Sequence, residues 1–394
     1  MSGRTHAGAI TGIGEVPVRR DRSRGVLEIA VTVASEAMRD AGLGPKDIDA
    51  ILMAPCFADP WFNADLSFGR LLDELALRPN VKMSAQVSGG GSTSEALLRT
   101  ATGLIESGEA RHVLCLHAEK FTSMSDQAGF DFFATAGTEH NFEAPYGMLY
   151  NAIPALTARR YMFETGTTLE HLAHVAVAGR EWAALNPNAL FRKRITVDDV
   201  LESREIASPL RSLMLNMIGD GGSAFVVSPT RDAASVTPTP VYVWGHGDAL
   251  NRYSFAQNRD LTDLGWSEAG AKAYASAGIS TSDVDIAEIY TAYPIFSLIA
   301  LEGLMFFDRG KAGEFAATGG LAPGGDLPMN TNGGTCSYGH TGAGVGVAFL
   351  VESCRQLMGK AGERQVSDAS VVLKTGCGGA YYDAHVTILG KEIR

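Results

Sequence analysis

Three side chains in this 394-residue sequence pair a titratable group with a setting that could use it: Tyr290, His340 and Cys377. His340 lies in NTNGGTCSYGHTGAGVG (330–346), a glycine-rich turn at the foot of an apolar stretch read as a helix over 339–359. Cys377 lies in TGCGGAYY (375–382), and Tyr290 ends the apolar part of AEIYTAYP (287–294). A fourth stretch, SGGGSTSEA (88–96), opens another helix with three glycines. Loops that open helices aim backbone N–H groups and a positive dipole end at one point, where an oxyanion can be held. A histidine at such an end is disfavoured as the imidazolium and acts as a neutral hydrogen-bond donor. A cysteine serves as a nucleophile when it is a thiolate and as an acid when it is a thiol. A tyrosine of ordinary pKa, about 10, is only roughly a thousandth ionised at neutral pH. It serves as a base if its surroundings lower that value, or if it passes on its own proton as another arrives. Each residue also has a plain packing reading: an aromatic at a strand end, a buried free cysteine, a histidine shaping a turn. We expect the four stretches to meet in one pocket suited to an enolate.

The elements that must position these residues repeat along the chain. AGAITGIG (7–14) reads as a strand and 27–40 as a helix, with Ile29, Val33 and Ala37 on one face. AGLGPKDIDAILMAPC (41–56) turns into an apolar strand, and 81–87 is another. The helix from Ser92 to Gly108 carries Leu97, Ala101, Leu104 and Ile105 on one face, with Ser92 and Glu95 at capping-box spacing. A strand at 112–116 follows. In the second half AGISTSDVDIAEI (277–289) echoes AGLGPKDIDAI (41–51). The helix over 339–359, with Val347, Leu350, Val351, Cys354 and Leu357 inward, then leads to the strand SVVLK (370–374). The repeat is too long for a solenoid, so the reading is a duplicated layered α/β domain. It divides the chain into a first half, 1–120 with 216–235, a second half, 236–394, and an inserted lid or partner surface, 121–215, with a helix over 169–185.

The chain is long enough for two domain-sized cores. Its net charge of −11 argues against nucleic-acid or anionic-membrane surfaces. The five cysteines have no zinc-site spacing, so no metal is expected and reduced thiols are the simplest reading. The stretch MSGRTHAGAITGIGE (1–15) lacks the apolar core of a signal peptide, and no run approaches the ~20 apolar residues of a membrane span, so neither is expected. The expectation is a cytoplasmic protein.

Several stretches resemble the thiolase superfamily, in the branch of the sterol carrier protein x and lipid-transfer-type thiolases. They are LNPNALFRK (185–193), IASPLRSL (206–213), IGDGGSAFV (218–226), NTNGGTCSYGHTGAG (330–344) and GCGG (376–379). The resemblance implies the thiolase fold, a duplicated α-β-α-β-α core, and four catalytic loops. The third of these is the histidine loop, here GHTG with His340, and Thr341 stands where the family has proline. The fourth is the CxG loop, here Cys377-Gly378-Gly379. The second, usually a His or Asn followed by an acidic residue, reads Tyr290-Thr291-Ala292-Tyr293. The first should present a nucleophilic cysteine, but the helix alignment puts Gly90 there, and no cysteine lies between Cys56 and Cys115. Two-stage acyl transfer is therefore disfavoured.

The pattern is similar to the thiolase-like aldolases of steroid side-chain degradation, which lack that cysteine and use tyrosines. It implies a lyase that cleaves a β-hydroxyacyl-CoA by retro-aldol chemistry. Tyr290 would be the base, and Cys377 or His340 the acid. Gly90, Tyr293, Asn332, Tyr338, Gly378 and Gly379 would line the oxyanion and substrate pocket, with space left beside Gly90. Arg192 and Lys193 are candidates for the CoA phosphates or simply surface charges. No permanent cofactor is implied; the CoA thioester is substrate. The family also implies a homodimer, joined to a small zinc-ribbon/OB-fold acyl-CoA-binding protein in a heterotetramer. Two other functions stay open: a thiolase or acyltransferase with an atypical nucleophile, and a non-catalytic acyl-CoA-binding subunit.

Overall fold

The computed structural model describes residues 6–21, 23–57, 64–125, 127–128, 131, 137–251, 254–290, 292–379 and 381–394. Trp61, Thr291 of the YTAY turn and part of the insertion lie outside the described residues. The strands are β1 (Gly8–Glu15), β2 (Ala50–Met53), β3 (Met83–Gln86) and β4 (Val113–Glu119). They continue with β5 (Glu205–Ala207), β6 (Leu210–Arg211), β7 (Gly221–Pro229) and β8 (Val241–Leu250), then β9 (Ile286–Glu288), β10 (Val371–Gly376) and β11 (Asp383–Gly390). β5 and β6 form a small hairpin; the others form one sheet ordered β3-β2-β4-β7-β1-β8-β11-β10-β9.

The order is the same read inward from either end. β1 pairs antiparallel with β7, β7 with β4, and β4 and β3 both run parallel to β2. Likewise β8 pairs antiparallel with β11, β11 with β10, and β10 runs parallel to β9. A single parallel bridge, Ala287 to Met329, stands where β3 stands in the first half. The echoed turns repeat their bonds as well. Asp47 caps the Gly44 amide and Asp283 the Ser280 amide; Asp49 accepts from Arg111 and His112, and Asp285 from Ser370 and Val371. Each turn thereby docks one parallel strand onto the start of the next.

Alternation along the strands separates two faces. Val113 and Cys115 of β4, Phe225 and Val227 of β7, and Val372 of β10 pack with two buried helices, Thr93–Glu106 and Gly346–Leu357. Leu114, Leu116, Ala224 and Val226 face the helix Val26–Asp40. Close approach of that helix requires glycine in β1: an added Cβ at Gly12 would lie 2.3 Å from the Ala37 carbonyl oxygen, and at Gly14 2.2 Å from that of Val33. Gly245 and Gly247 of β8 stand in the same relation to Ala273 and Ala269 of the helix Trp266–Ala277, at 2.7 and 1.9 Å.

Two expected helix starts are corrected. The helix read over 339–359 begins at Gly346, because Gly339 and Gly342 have φ of +113° and +85° and cannot be helical. Ser92 does not cap its helix by a side-chain bond; its hydroxyl donates to Gly89 O and Asp383, and Glu95 pairs with Lys374 instead. The helix Leu169–Leu185 falls where its periodicity places it, capped by Thr168. Among the described residues no helix is long and apolar enough to cross a membrane, and no group of three or more ligating side chains is placed to hold a metal.

Candidate active site

The four stretches converge. β9 delivers Tyr290, whose amide donates to Thr375 Oγ1 at 2.8 Å, while Asn330 Oδ1 accepts the Ile289 amide at 2.7 Å. The Tyr290 hydroxyl lies 3.2 Å from His340 Nε2. The Cys377 thiol points to the Tyr290 carbonyl oxygen at 3.7 Å. An added Cβ at Gly91 would fall 2.1 Å from Cys377 O and 2.2 Å from Tyr290 Cε1. Tyr290, His340 and Cys377 are all buried.

The loop of His340 is fixed from both sides. Its amide donates to Met217 O at 2.7 Å and its carbonyl accepts from Gly219 N at 3.1 Å, so IGDGG serves as a strut for the histidine. Thr341, the departure from proline, bonds through Oγ1 to His117 Nε2 at 2.7 Å. The Gly342 amide donates to His340 Nδ1 at 3.2 Å. That nitrogen then carries no hydrogen, and in the neutral ring Nε2–H is left to donate to Tyr290 Oη.

Burial lowers His340 to about 4, and burial beside His340 lowers His117 to about 3. The neutral state expected for His340 holds, but burial causes it; the helix it was thought to head begins only at Gly346. Burial pushes Tyr290 and Cys377 well up. A tyrosine lowered toward neutrality is thus corrected: the resting residue is a phenol, and it must hand on a proton as it takes one.

Gly90 has φ of +59°, a left-handed conformation that favours glycine, and a Cβ there would meet Gly378 Cα at 3.1 Å and Gly379 N at 3.2 Å. The space expected beside Gly90 is on that side closed by the backbone of the GCGG loop. Gly378 does not offer its amide to the pocket, since Asp383 Oδ1 accepts it. Among the described residues the amides of Gly90 and Gly379 show no hydrogen bond to a protein acceptor, and Gly379 N lies against the Cβ side of Gly90.

Other expected pocket residues separate. Tyr338 turns away, donating to Glu15 at 2.9 Å within a cluster of Val18, Ala183, Ala189 and Ala348. Tyr293 bonds to Asn151 of the insertion and packs near Tyr150, at a ring distance of 6.1 Å. Asn332 shapes the turn, its Oδ1 accepting the Gly334 amide at 2.8 Å. Arg192 and Lys193 are exposed, and Arg192 reaches Ala184 O at 3.3 Å. The sequence reading missed Tyr150, whose hydroxyl donates to Gly379 O at 3.4 Å, and Tyr381, stacked on Phe296 with ring centroids 3.7 Å apart. Tyr150 lies in the insertion ahead of its helix, in a stretch without a motif; Tyr381 directly follows the GCGGA run.

Beneath the loops, Lys374 and Glu95 form a fully buried ion pair shared with Ser94. Lys374→Met should destabilise the fold by about 3–5 kcal/mol, because Glu95 is left buried and unpaired. A lowered urea midpoint at unchanged slope is the expected observation.

Residues 247–391 match the model of the thiolase C-terminal domain-like family. The chain is 32% identical over 358 residues to an acetyl-CoA acetyltransferase of Methanothermobacter thermautotrophicus, covering 90% of this chain and 92% of that protein. It is also 32% identical over 370 residues to a steroid side-chain-cleaving aldolase of Thermomonospora curvata, covering 89% and 90%. The solved structure titled Ltp2-ChsH2(DUF35) aldolase matches with a TM-score of 0.84 at 29% identity, over 98% of each chain. These likenesses and the convergent loops establish that the chain belongs to the thiolase superfamily, in the branch of the sterol carrier protein thiolases and the thiolase-like side-chain aldolases.

Proposed function

We propose that the chain is a carbon–carbon lyase that cleaves a β-hydroxyacyl-CoA to a ketone or aldehyde and a shorter acyl-CoA through an enolate. Identity alone does not choose between acetyltransferase and aldolase relatives, since both stand at 32%. The observation that carries the choice is Gly90: the first loop presents bare backbone, and Tyr290 packs against the next glycine. An acyl group has nothing to attach to there. We assign the unengaged amides of Gly90 and Gly379, which lie on facing loops, to the thioester oxygen as it gains charge.

The β-hydroxyl would sit at Tyr290 Oη. Its proton passes to Tyr290 as the Cα–Cβ bond breaks, the bond's electron pair becomes the enolate, and the carbonyl product leaves. Tyr290 releases its own proton to Cα as that enolate charge develops, so the pair ends in the new C–H bond and no buried phenolate accumulates. His340 Nε2–H steadies the tyrosine oxygen throughout. Cys377, kept a thiol by burial, is the second candidate donor to Cα. Arg192 and Lys193 are assigned to the CoA phosphates, and Asn332 and Tyr293 to loop support. The DUF35 named with the aldolase neighbour supports a DUF35-type partner, to which we assign a zinc-ribbon/OB-fold, joined to a homodimer of this chain. Phe142, Tyr146 and Phe163, 74%, 86% and 84% exposed on the insertion, offer apolar contact area for it.

Assaying a panel of short, aromatic and steroidal β-hydroxyacyl-CoAs tests the reading. Ketone or aldehyde release without added CoA is expected. A strict requirement for free CoA, or a kinetically competent acyl-enzyme seen by mass spectrometry, overturns it. The pH profile gives a second check. With His340 at about 4, below its ordinary 6.5, kcat/KM should carry no His340 limb between about pH 5.5 and 8 and should fall only toward pH 4. The stability linked to neutral His340 is complete above about 6.5 and is lost as pH falls toward 4, because the unfolded chain takes the proton first.

A further inference from the structure

We propose that Asp383 is a positioning residue that clasps the two glycine loops of the site, one from each half of the chain, and that His385 holds it in place. Asp383 opens β11 and is buried. Its Oδ1 accepts the Gly378 amide, and its Oδ2 lies 3.1 Å from the Ser92 hydroxyl, whose one proton it shares with Gly89 O of the same turn. Gly378 directly precedes Gly379, and Ser92 lies just past Gly90 and Gly91 in the same short turn. One carboxylate thus takes donors from both segments, which meet where Gly90 faces Gly378 and Gly379. The loops touch where it holds them: an added Cβ at Gly378 would lie 2.5 Å from Gly89 O and 3.3 Å from Asp383 Oδ2.

A carboxylate is suited to this because it only accepts, and amide and hydroxyl bonds to it are stronger than those to a neutral oxygen. Asparagine in its place offers one acceptor and would turn an amide group toward Ser92 or Gly378. Asp383 is itself supported. His385 Nε2 lies 3.3 Å from Oδ2, and His385 Nδ1 lies 2.7 Å from Asp248, which Arg99 also pairs. Burial opposes the charge on His385, but hydrogen bonds to Asp248 and Asp383 push it up to about 9. The series Arg99, Asp248, His385, Asp383 therefore alternates in sign from the surface to the loops.

The rate readout of this proposal rests on the lyase reading; its geometry does not. Asp383→Asn and Asp383→Ala should be compared with wild type by hydrogen exchange of the full chain and by kcat and KM on a cleaved β-hydroxyacyl-CoA. Exchange should rise at least about tenfold in 89–92 and 376–379 and stay unchanged elsewhere, while kcat falls about 10- to 100-fold with KM within about threefold. Asp383→Glu should recover part of the loss. Unchanged loop exchange, exchange raised across the whole fold, or kcat within about twofold of wild type overturns the proposal. If wild type cleaves nothing, the lyase reading falls by itself, and local against unchanged exchange decides the role of Asp383.

Discussion

Tyr290→Phe should lower kcat by about 10³-fold, within the range general acid–base groups contribute, and leave the Kd for acetyl-CoA within about threefold. The substitution removes one oxygen and keeps the ring. That ring packs edge-on to Phe349 at 5.6 Å and fills the space beside Gly91, so the loops should stay as they are. What is lost is the hydroxyl 3.2 Å from His340 Nε2, the group that takes the alcohol's proton in the proposed step. Loss of one buried hydrogen bond costs about 0.5–1.5 kcal/mol of stability, so thermal melting run beside the kinetics separates a weakened fold from a missing base. Full activity in Tyr290→Phe removes the tyrosine from the chemistry. Loss of binding equal to the loss of rate makes it a substrate contact rather than a base.

Much of the site is legible as sequence because its residues lie in short loops with strong local signatures. GHTG and GCGG announce themselves by glycine, and Tyr290 by its place at the end of an apolar run. Their convergence follows from the duplication, which puts strand-to-helix loops of both halves at one end of the sheet. The paired turns at Asp47-Ile48-Asp49 and Asp283-Val284-Asp285 carry that duplication openly. A second signature passed unread: Gly12-Ile13-Gly14 and Gly245-His246-Gly247 mark where each outer helix approaches its strand. Spacing alone cannot distinguish such a pair from strand glycines at a bulge.

The failures share one cause. Tyr338 stands two residues from His340 in sequence, yet the positive φ of Gly339 reverses the chain between them and sends the tyrosine to Glu15. Ser92 and Glu95 have capping-box spacing, but Glu95 pairs with Lys374 of the other half of the chain, and the Ser92 hydroxyl is taken up by Gly89 O and Asp383. Local rules lose when a distant charge arrives at the same atom. The state of Tyr290 was also out of reach, since it is set by burial, which depends on what the other half places over the ring.

Gly91→Ala should cost activity at least about 10²-fold, and much more than Gly90→Ala, although the family alignment sets Gly90, not Gly91, against the nucleophile. At Gly91 the added methyl would sit 2.1 Å from the Cys377 carbonyl oxygen and 2.2 Å from Tyr290 Cε1. Neither neighbour is a flexible chain end: one is backbone of a glycine loop and the other a ring held by Phe349. The site must open, carrying Tyr290 Oη away from His340. At Gly90 the methyl meets backbone at 3.1 and 3.2 Å, which a few tenths of an ångström relieves. The left-handed φ there adds about 1–2 kcal/mol of strain, which should appear in the melting temperature more than in kcat. Measuring both variants for kcat and melting temperature fixes the order. If Gly90→Ala is the more damaged in rate, the pocket depends on bare backbone at Gly90 itself, and the close packing of Tyr290 on Gly91 is not what shapes the reaction.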